Sequence, residues 1–267
     1  MKILDSMFKK KQPLNFESLL IITYGRSGST LLMGVLNSIE GVVVRGENYD
    51  FCFYLYRAYK SLLNSKNQSG TKSQHPFFGS SAMDEQQLLI DYSQLVKNLL
   101  LSEHLKNPKK IFQYLKTLIF DHQKIIKDIR CYGFKEVRYE RHLGEFNDYL
   151  SFLEKIFPNP CFIINTRNHE DVLKSMKAVD FYTEKPFDQD YLRTIEATFF
   201  DYIKTHPDNT FHISYEDVIA KTEKLTELFS FLGASFSEQQ IDEVLSLQHS
   251  YAPAQEHVNK LPYNFPK

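Results

Sequence analysis

Four stretches of the chain combine residue types at spacings that can do chemistry. Gly25-Arg26-Ser27-Gly28-Ser29-Thr30 is a Gly/Ser/Thr turn with one cation inside it. Gly25 and Gly28 free the backbone to bring its N–H groups close to an anion, and Ser27, Ser29 and Thr30 add hydroxyls. Arg167 and Ser175 flank a second polar turn. They can meet on one anion only if that anion sits beside the intervening helix rather than at its tip. Gly46-Glu47-Asn48 places a carboxylate just past an apolar run, where Glu47 can take a proton from a substrate. In Gly133-Phe134-Lys135-Glu136-Val137-Arg138, either Lys135 or Arg138 can neutralise charge on a group in transfer. Strand alternation puts Lys135 and Val137 on one face and Glu136 and Arg138 on the other, so at most one pair is expected to point into a site.

Each of these residues also has an ordinary use: a polar turn, a solvated glutamate or one paired with Arg45, a strand-edge ion pair, a surface arginine. Their order along the chain lifts them above that, because two anion grips each follow a buried strand.

The elements that must carry them are legible from periodicity. Leu19 to Ile22 is a continuous apolar run, as expected of a strand covered on both faces, and Leu31, Leu32, Val35 and Leu36 repeat at helical spacing after the turn. Gly41 to Arg45 and Cys131 to Arg138 read as further extended runs. Pro160 to Thr166 is a strand that leads into Asn168 as helix N-cap, with Glu170 and Asp171 in the first turn. Helices are predicted over Phe51–Lys66, over Glu85–Leu101 with Leu88, Tyr92, Leu95, Val96 and Leu99 on one stripe, and over Ile111–Ile126. Tyr191–His206 is helical, Thr210–Ser214 a strand, one helix runs from Ser214 to near Gly233, and the last spans Ser237–Leu247. Asn67 to Ala82 has loop composition, and the proline-containing tail from Ser250 should lie extended or close the cleft. The fold class is α/β, a P-loop-like three-layer arrangement with a central parallel sheet flanked by helices. Residues 1–267 form one domain, and a helical insertion over about 50–128 covers an acceptor cleft.

The composition sets bounds on partners. A length of 267 residues with 42% hydrophobic content suits a single α/β core. A formal net charge of -1 gives no global basic field, so nucleic acid is disfavoured and any anion site must be local. Lys9, Lys10 and Lys11 precede no long apolar stretch, so neither a signal peptide nor a membrane anchor is expected. Cys52, Cys131 and Cys161 have no metal-ligand spacing and read as reduced thiols of a cytoplasmic protein, with no metal.

Gly25 to Thr30 departs from the kinase pattern, since Ser29 stands where GxxxxGK[ST] demands Lys. It resembles instead the 5′-phosphosulfate loop of the sulfotransferases that use 3′-phosphoadenosine 5′-phosphosulfate (PAPS). The Arg167…Ser175 pair resembles that family's 3′-phosphate grip, and the stretches around Glu47 and Lys135 also look like theirs. The resemblance implies that Gly25, Arg26, Ser27, Gly28, Ser29, Thr30, Arg167 and Ser175 bind the donor, and that Arg26, Glu47 and Lys135 are catalytic. The expected reaction is in-line sulfuryl transfer to an acceptor hydroxyl, on a carbohydrate or related small molecule. Cytosolic phenol-type members carry a loop Lys, a catalytic His and a Gly-rich basic carboxyl-terminal stretch. Here there is Arg26, no His within Lys135 to Arg138 and no Gly after Gly233, so the chain looks closer to bacterial or carbohydrate-type members. The competing readings are a P-loop-like nucleotide kinase and a catalytically silent nucleotide-binding protein of the same fold.

Overall fold

The computed structural model describes residues 13–69, 84–106, 129–178 and 187–247. The apolar runs become β1 (Ser18–Ile22), β2 (Val42–Arg45), β3 (Cys131–Glu136), β4 (Pro160–Thr166) and β5 (Thr210–Ser214). They form one five-stranded sheet in the order β2-β3-β1-β4-β5, with every pair parallel. β1 is central, with Ile22 level with Glu136 on one side and with Ile164 on the other. The chain crosses from one side of β1 to the other between β3 and β4, so a crevice opens at the carboxyl end of β1, where such sheets bind ligands.

Period-two alternation splits each strand between two cores. Leu20, Ile22, Phe134, Phe162 and Ile164 face one, while Leu19, Ile21, Cys161 and Ile163 face the other. The second face is covered by α1 (Ser29–Asn37), α8 (Glu223–Phe231) and α9 (Glu238–Ser246), through residues such as Leu32, Val35, Leu228 and Ile241. The first is covered by α2 (Phe51–Ser69), α3 (Glu85–Lys106), α4 (Phe146–Ile156), α5 (His169–Ala178) and α6 (Gln189–Thr205). The expected three layers are therefore present. Gly133 shows how tightly β3 meets β1: a Cβ there would lie 1.7 Å from the Leu19 carbonyl oxygen.

Two expectations are corrected. The helix predicted from Ser214 to Gly233 is two helices, α7 (Tyr215–Ala220) and α8, because Lys221 turns left-handed at φ 50° and Thr222 starts the second. The stripe predicted on α3 is rotated: Val96 and Leu100 are buried, whereas Leu95 and Leu99 are exposed. Asn168 does cap α5, accepting from the Asp171 N–H at 3.3 Å. The helix expected over Ile111–Ile126, most of the Asn67–Ala82 loop, the tail and Lys9 to Lys11 lie outside the described residues.

One buried charge makes the fold sensitive to pH. Glu140 sits in the 3-10 turn Tyr139–Glu145, and its Oε2 meets no hydrogen-bond donor among the described residues. Burial pushes its carboxyl up from 4.5 to about 7. Between those values the folded chain keeps a proton that the unfolded chain has lost, so this group's contribution to stability falls as pH rises through the window. Glu140→Gln should remove that slope and leave the variant more stable than the parent by up to roughly 3 kcal/mol at about pH 8, with little difference near pH 4. Urea unfolding at both pH values reads the difference, and an equal offset at both would refute the assignment.

Candidate active site

The β1–α1 turn is built to leave backbone donors free. Gly28 is the N-cap of α1 at φ 79°, no side chain caps the helix, and no acidic residue occupies its first turn. Ser29 is buried in that first turn and Thr30 is exposed. Gly28 is required twice over, since a Cβ would also lie 2.2 Å from the Tyr215 ring. Arg26 adopts φ 65°, a left-handed conformation that costs a non-glycine residue about 1–3 kcal/mol and that the surrounding contacts must hold.

Those contacts come from the core side. Thr23 Oγ1 lies 2.6 Å from Ser27 Oγ and 2.7 Å from the Asn165 carbonyl oxygen. A carbonyl can only accept, so the Thr23 proton goes to Asn165 and Ser27 donates to Thr23. The Ser27 hydroxyl, expected to face an anion, is thus fully buried and occupied within the turn. Only its backbone N–H remains for a ligand.

Arg26, Arg167 and Ser175, predicted as parts of two grips, are brought into contact. Arg26 Nε donates to Ser175 Oγ at 2.9 Å, and Arg167 Nη1 donates to the Arg26 carbonyl at 3.2 Å. The Arg167 guanidinium lies 4.3 Å over the Tyr215 ring, and its Nε is buried with no hydrogen-bond partner among the described residues. Tyr215 and Glu216 open α7, and Glu216 accepts from the Asn168 N–H at 3.0 Å, tying the start of α5 to the same corner. The result is two guanidinium groups and a hydroxyl beside the uncapped end of α1, an arrangement suited to a multiply charged anion.

A second cluster stands beyond the ends of β2 and β3. Glu47 bonds Lys135 Nζ at 2.9 Å and lies 3.2 Å from Arg138 Nη1. Lys135 and Arg138 therefore face the same carboxylate, contrary to the alternation argument, because β3 ends at Glu136 and the rule does not reach Arg138. Burial disfavours the Arg138 charge, but Glu136, Glu47 and Asp50 outweigh it and raise its pKa. Glu136 is buried and fully used, accepting from the N–H groups of Asn48, Asp50 and Val137 and from Arg138. It fixes the turn that carries Glu47. β2 is not the neighbour of β1, because β3 lies between them. Beside Glu47 lies a cleft of about 470 Å³, bounded by Gly46 and Asn48 on one side and by α3 on the other.

Tyr24 was missed as a site residue. Its backbone bridges to Arg138, and its hydroxyl donates to Glu196 Oε1 at 2.6 Å and accepts from the Arg167 N–H at 3.1 Å. Burial, aided by Glu196, pushes its phenol well above the usual range, so it stays protonated. Glu196 in turn meets His169 Nε2 at 3.0 Å. A tyrosine closing an apolar run reads as core, and only its position directly before Gly25 signals more. Among the described residues no group of three or more His, Cys, Asp or Glu side chains could hold a metal ion. No helix among them is long and apolar enough to cross a membrane.

Tyr24→Phe should lower stability by about 1–3 kcal/mol, since it takes the donor from Glu196 Oε1 and the acceptor from the Arg167 N–H. Urea unfolding measures this, and an unchanged midpoint would show that the hydroxyl does not hold the corner.

Comparisons with known proteins bear on the whole arrangement. A model of the sulfotransferase family matches residues 18–238. No curated protein matches the sequence. Among solved structures, the chain is similar to the sulfotransferase domain from the Synechococcus PCC 7002 olefin synthase, at 20% identity over 90% of this chain and 82% of that one, with a TM-score of 0.46. It is similar to the sulfotransferase domain from the curacin biosynthetic pathway at 16% identity, over 86% of this chain and 78% of that one, with a TM-score of 0.48. It is also similar to the sulfotransferase STF9 from Mycobacterium avium at 10% identity, over 86% and 67% of the two chains, with a TM-score of 0.40.

Proposed function

The chain belongs to the sulfotransferase family, and on that premise we propose that it moves a sulfuryl group from PAPS to an acceptor hydroxyl by in-line displacement. The acceptor oxygen attacks sulfur, the bond from sulfur to the 5′-phosphate oxygen breaks, and 3′-phosphoadenosine 5′-phosphate (PAP) leaves. Backbone N–H groups from Gly25 to Thr30 receive the 5′-phosphate, with Arg26 beside them stabilising the leaving oxygen. Arg167 and Ser175 hold the 3′-phosphate, and Arg26 already reaches Ser175, so one cation spans both ends of the donor site. Arginine suits this work because its planar fork stays charged and binds phosphate through paired N–H groups.

Glu47 takes the acceptor proton. Lys135 and Arg138 hold its two carboxylate oxygens and so set the direction of its free lone pairs. As the proton arrives, their hold on Glu47 weakens, and their charge becomes available to the sulfuryl oxygens. Three buried free thiols, Cys52, Cys131 and Cys161, support a reducing compartment, and we place the protein in the cytoplasm.

The observation that carries this reading is the meeting of Arg26, Arg167 and Ser175 beside the uncapped end of α1. Calorimetry with PAP and with ADP, without magnesium, tests it. PAP should bind far more tightly than ADP, and Arg167→Ala should lose roughly 10- to 100-fold of the PAP affinity while leaving ADP little changed. Equal binding of the two nucleotides would refute it. Glu47→Gln should cut kcat by roughly 100- to 10,000-fold with PAP affinity retained. Normal turnover in that variant would remove Glu47 from the role of base.

A further inference from the structure

The cleft beside Glu47 has two unlike ends. Its polar end holds Glu47, Arg45, whose Nε donates to the Leu100 carbonyl at 2.8 Å, and Asn48, whose side-chain Oδ1 is buried and accepts no hydrogen bond among the described residues. Its long wall is made by Phe51 and Cys52 at the start of α2 and by Val96, Leu99 and Leu100 on α3. None of these five side chains offers a hydrogen-bonding oxygen or nitrogen. Cys52 is a buried thiol held protonated by that burial, and its Sγ accepts from Asn48 Nδ2 at 3.6 Å, so the polar contact stays at the Asn48 end of the wall.

The wall does not stop at the cleft. Leu99 is 49% exposed, and Leu95, one helical turn away on the same face of α3, is 42% exposed. An apolar strip therefore runs from the cleft to the surface, at a cost that burial by a ligand would relieve. The volume of about 470 Å³ falls in the range of small-molecule sites. A polyhydroxylated ring laid along this wall would strand its hydroxyls against leucine and valine, whereas one hydroxyl at the end of an apolar body would donate its single proton to Glu47 and leave no other polar group of the acceptor against the wall.

We infer that the acceptor is an alcohol whose reacting hydroxyl ends an apolar chain lying along Phe51, Val96, Leu99 and Leu100, rather than a carbohydrate. The inference rests on the sulfuryl-transfer reading and deepens it by naming the acceptor class.

The test uses the purified full-length protein with PAPS and a series of straight-chain primary alcohols from butanol to dodecanol, set against glucose and N-acetylglucosamine, with the sulfated product measured by mass spectrometry. PAP binding is measured in parallel. Each added methylene should raise kcat/KM by roughly fourfold until the wall is filled, the increment expected for a buried CH₂. The sugars should fall below decanol by at least about 100-fold on the same scale. Leu99→Asp should raise the KM for decanol by more than roughly tenfold and flatten the series, while Leu99→Met restores it. Because Leu99 is half exposed, PAP affinity should be unchanged in both variants and reports that the fold is intact. A flat series, a preference for the sugars, or no product from any alcohol would each overturn the inference while PAP binding left the donor reading standing. Failure to bind PAP would remove the donor reading and this inference with it.

Discussion

The hydroxyl of Tyr24 joins parts of the chain that lie beyond the strand ladders. It sits two residues past β1 and bonds both the Arg167 N–H, past the end of β4, and Glu196 on α6. The main chain of Tyr24 pairs with Arg138, past the end of β3. One residue therefore fixes the relative positions of the anion corner and the strand end that holds Glu47. A parallel sheet sets its strands by ladder bonds only as far as the strands run, and both clusters lie beyond that limit. Something other than the ladder must position them, and a buried phenol bonded on two sides does so with little freedom left to lose.

Glu136 plays the matching part on the other side of β1. A buried carboxylate is costly unless its lone pairs are used, and here three backbone N–H groups and Arg138 use them. Two of those N–H groups belong to Asn48 and Asp50, in a turn where Tyr49 and Asp50 both take left-handed backbone angles. The strain of that turn is borne by bonds to Glu136, and its consequence is that Glu47 is held against Lys135 and Arg138. Arg138 is shared by Glu136, Glu47 and the exposed ring of Tyr49, so Glu47 and its supports are tied into one group.

The sheet, its strand positions and both polar turns were legible in the sequence because each depends on local pattern. Leu19 to Ile22 is apolar without a break, and Thr210 to Ser214 was bounded to the residue. Errors arose where local pattern yields to a neighbour. Lys221 ends α7 through a left-handed turn that no glycine announces. Leu95 and Leu99 fit an apolar stripe by spacing, yet α3 presents the adjacent face, with Val96 and Leu100, to the core. Ser27 looked like a donor because hydroxyls in such turns often are, but Thr23 Oγ1, whose own proton goes to the Asn165 main-chain carbonyl, claims its proton. The strand order was the larger blind spot. Spacing alone cannot say that β3 lies between β2 and β1, and that insertion is what brings Lys135 and Arg138 to Glu47.

The loop's one cation is an arginine inside the turn, with Ser29 where a P-loop has lysine, and the geometry shows what an arginine there can do. A lysine is a point charge on a flexible stem that a phosphate must draw into place, whereas the Arg26 guanidinium can bond Ser175 and still present further N–H groups. Arg167 uses its guanidinium in the same divided way, stacked on Tyr215 and bonded to the Arg26 carbonyl. Each arginine spends one part of its fork on the protein, and on the sulfuryl-transfer reading the rest serves the donor. Such partial commitment lowers the entropy lost when an anion arrives, because the heads are already placed. It also links the two grips, so a displacement of Arg167 is felt by the main chain of Arg26 and hence by the turn itself. The two grips, separate in sequence, therefore form one preorganised surface, and its shape depends on Gly28 because only glycine lets Tyr215 pack beneath Arg167 while the turn stays left-handed.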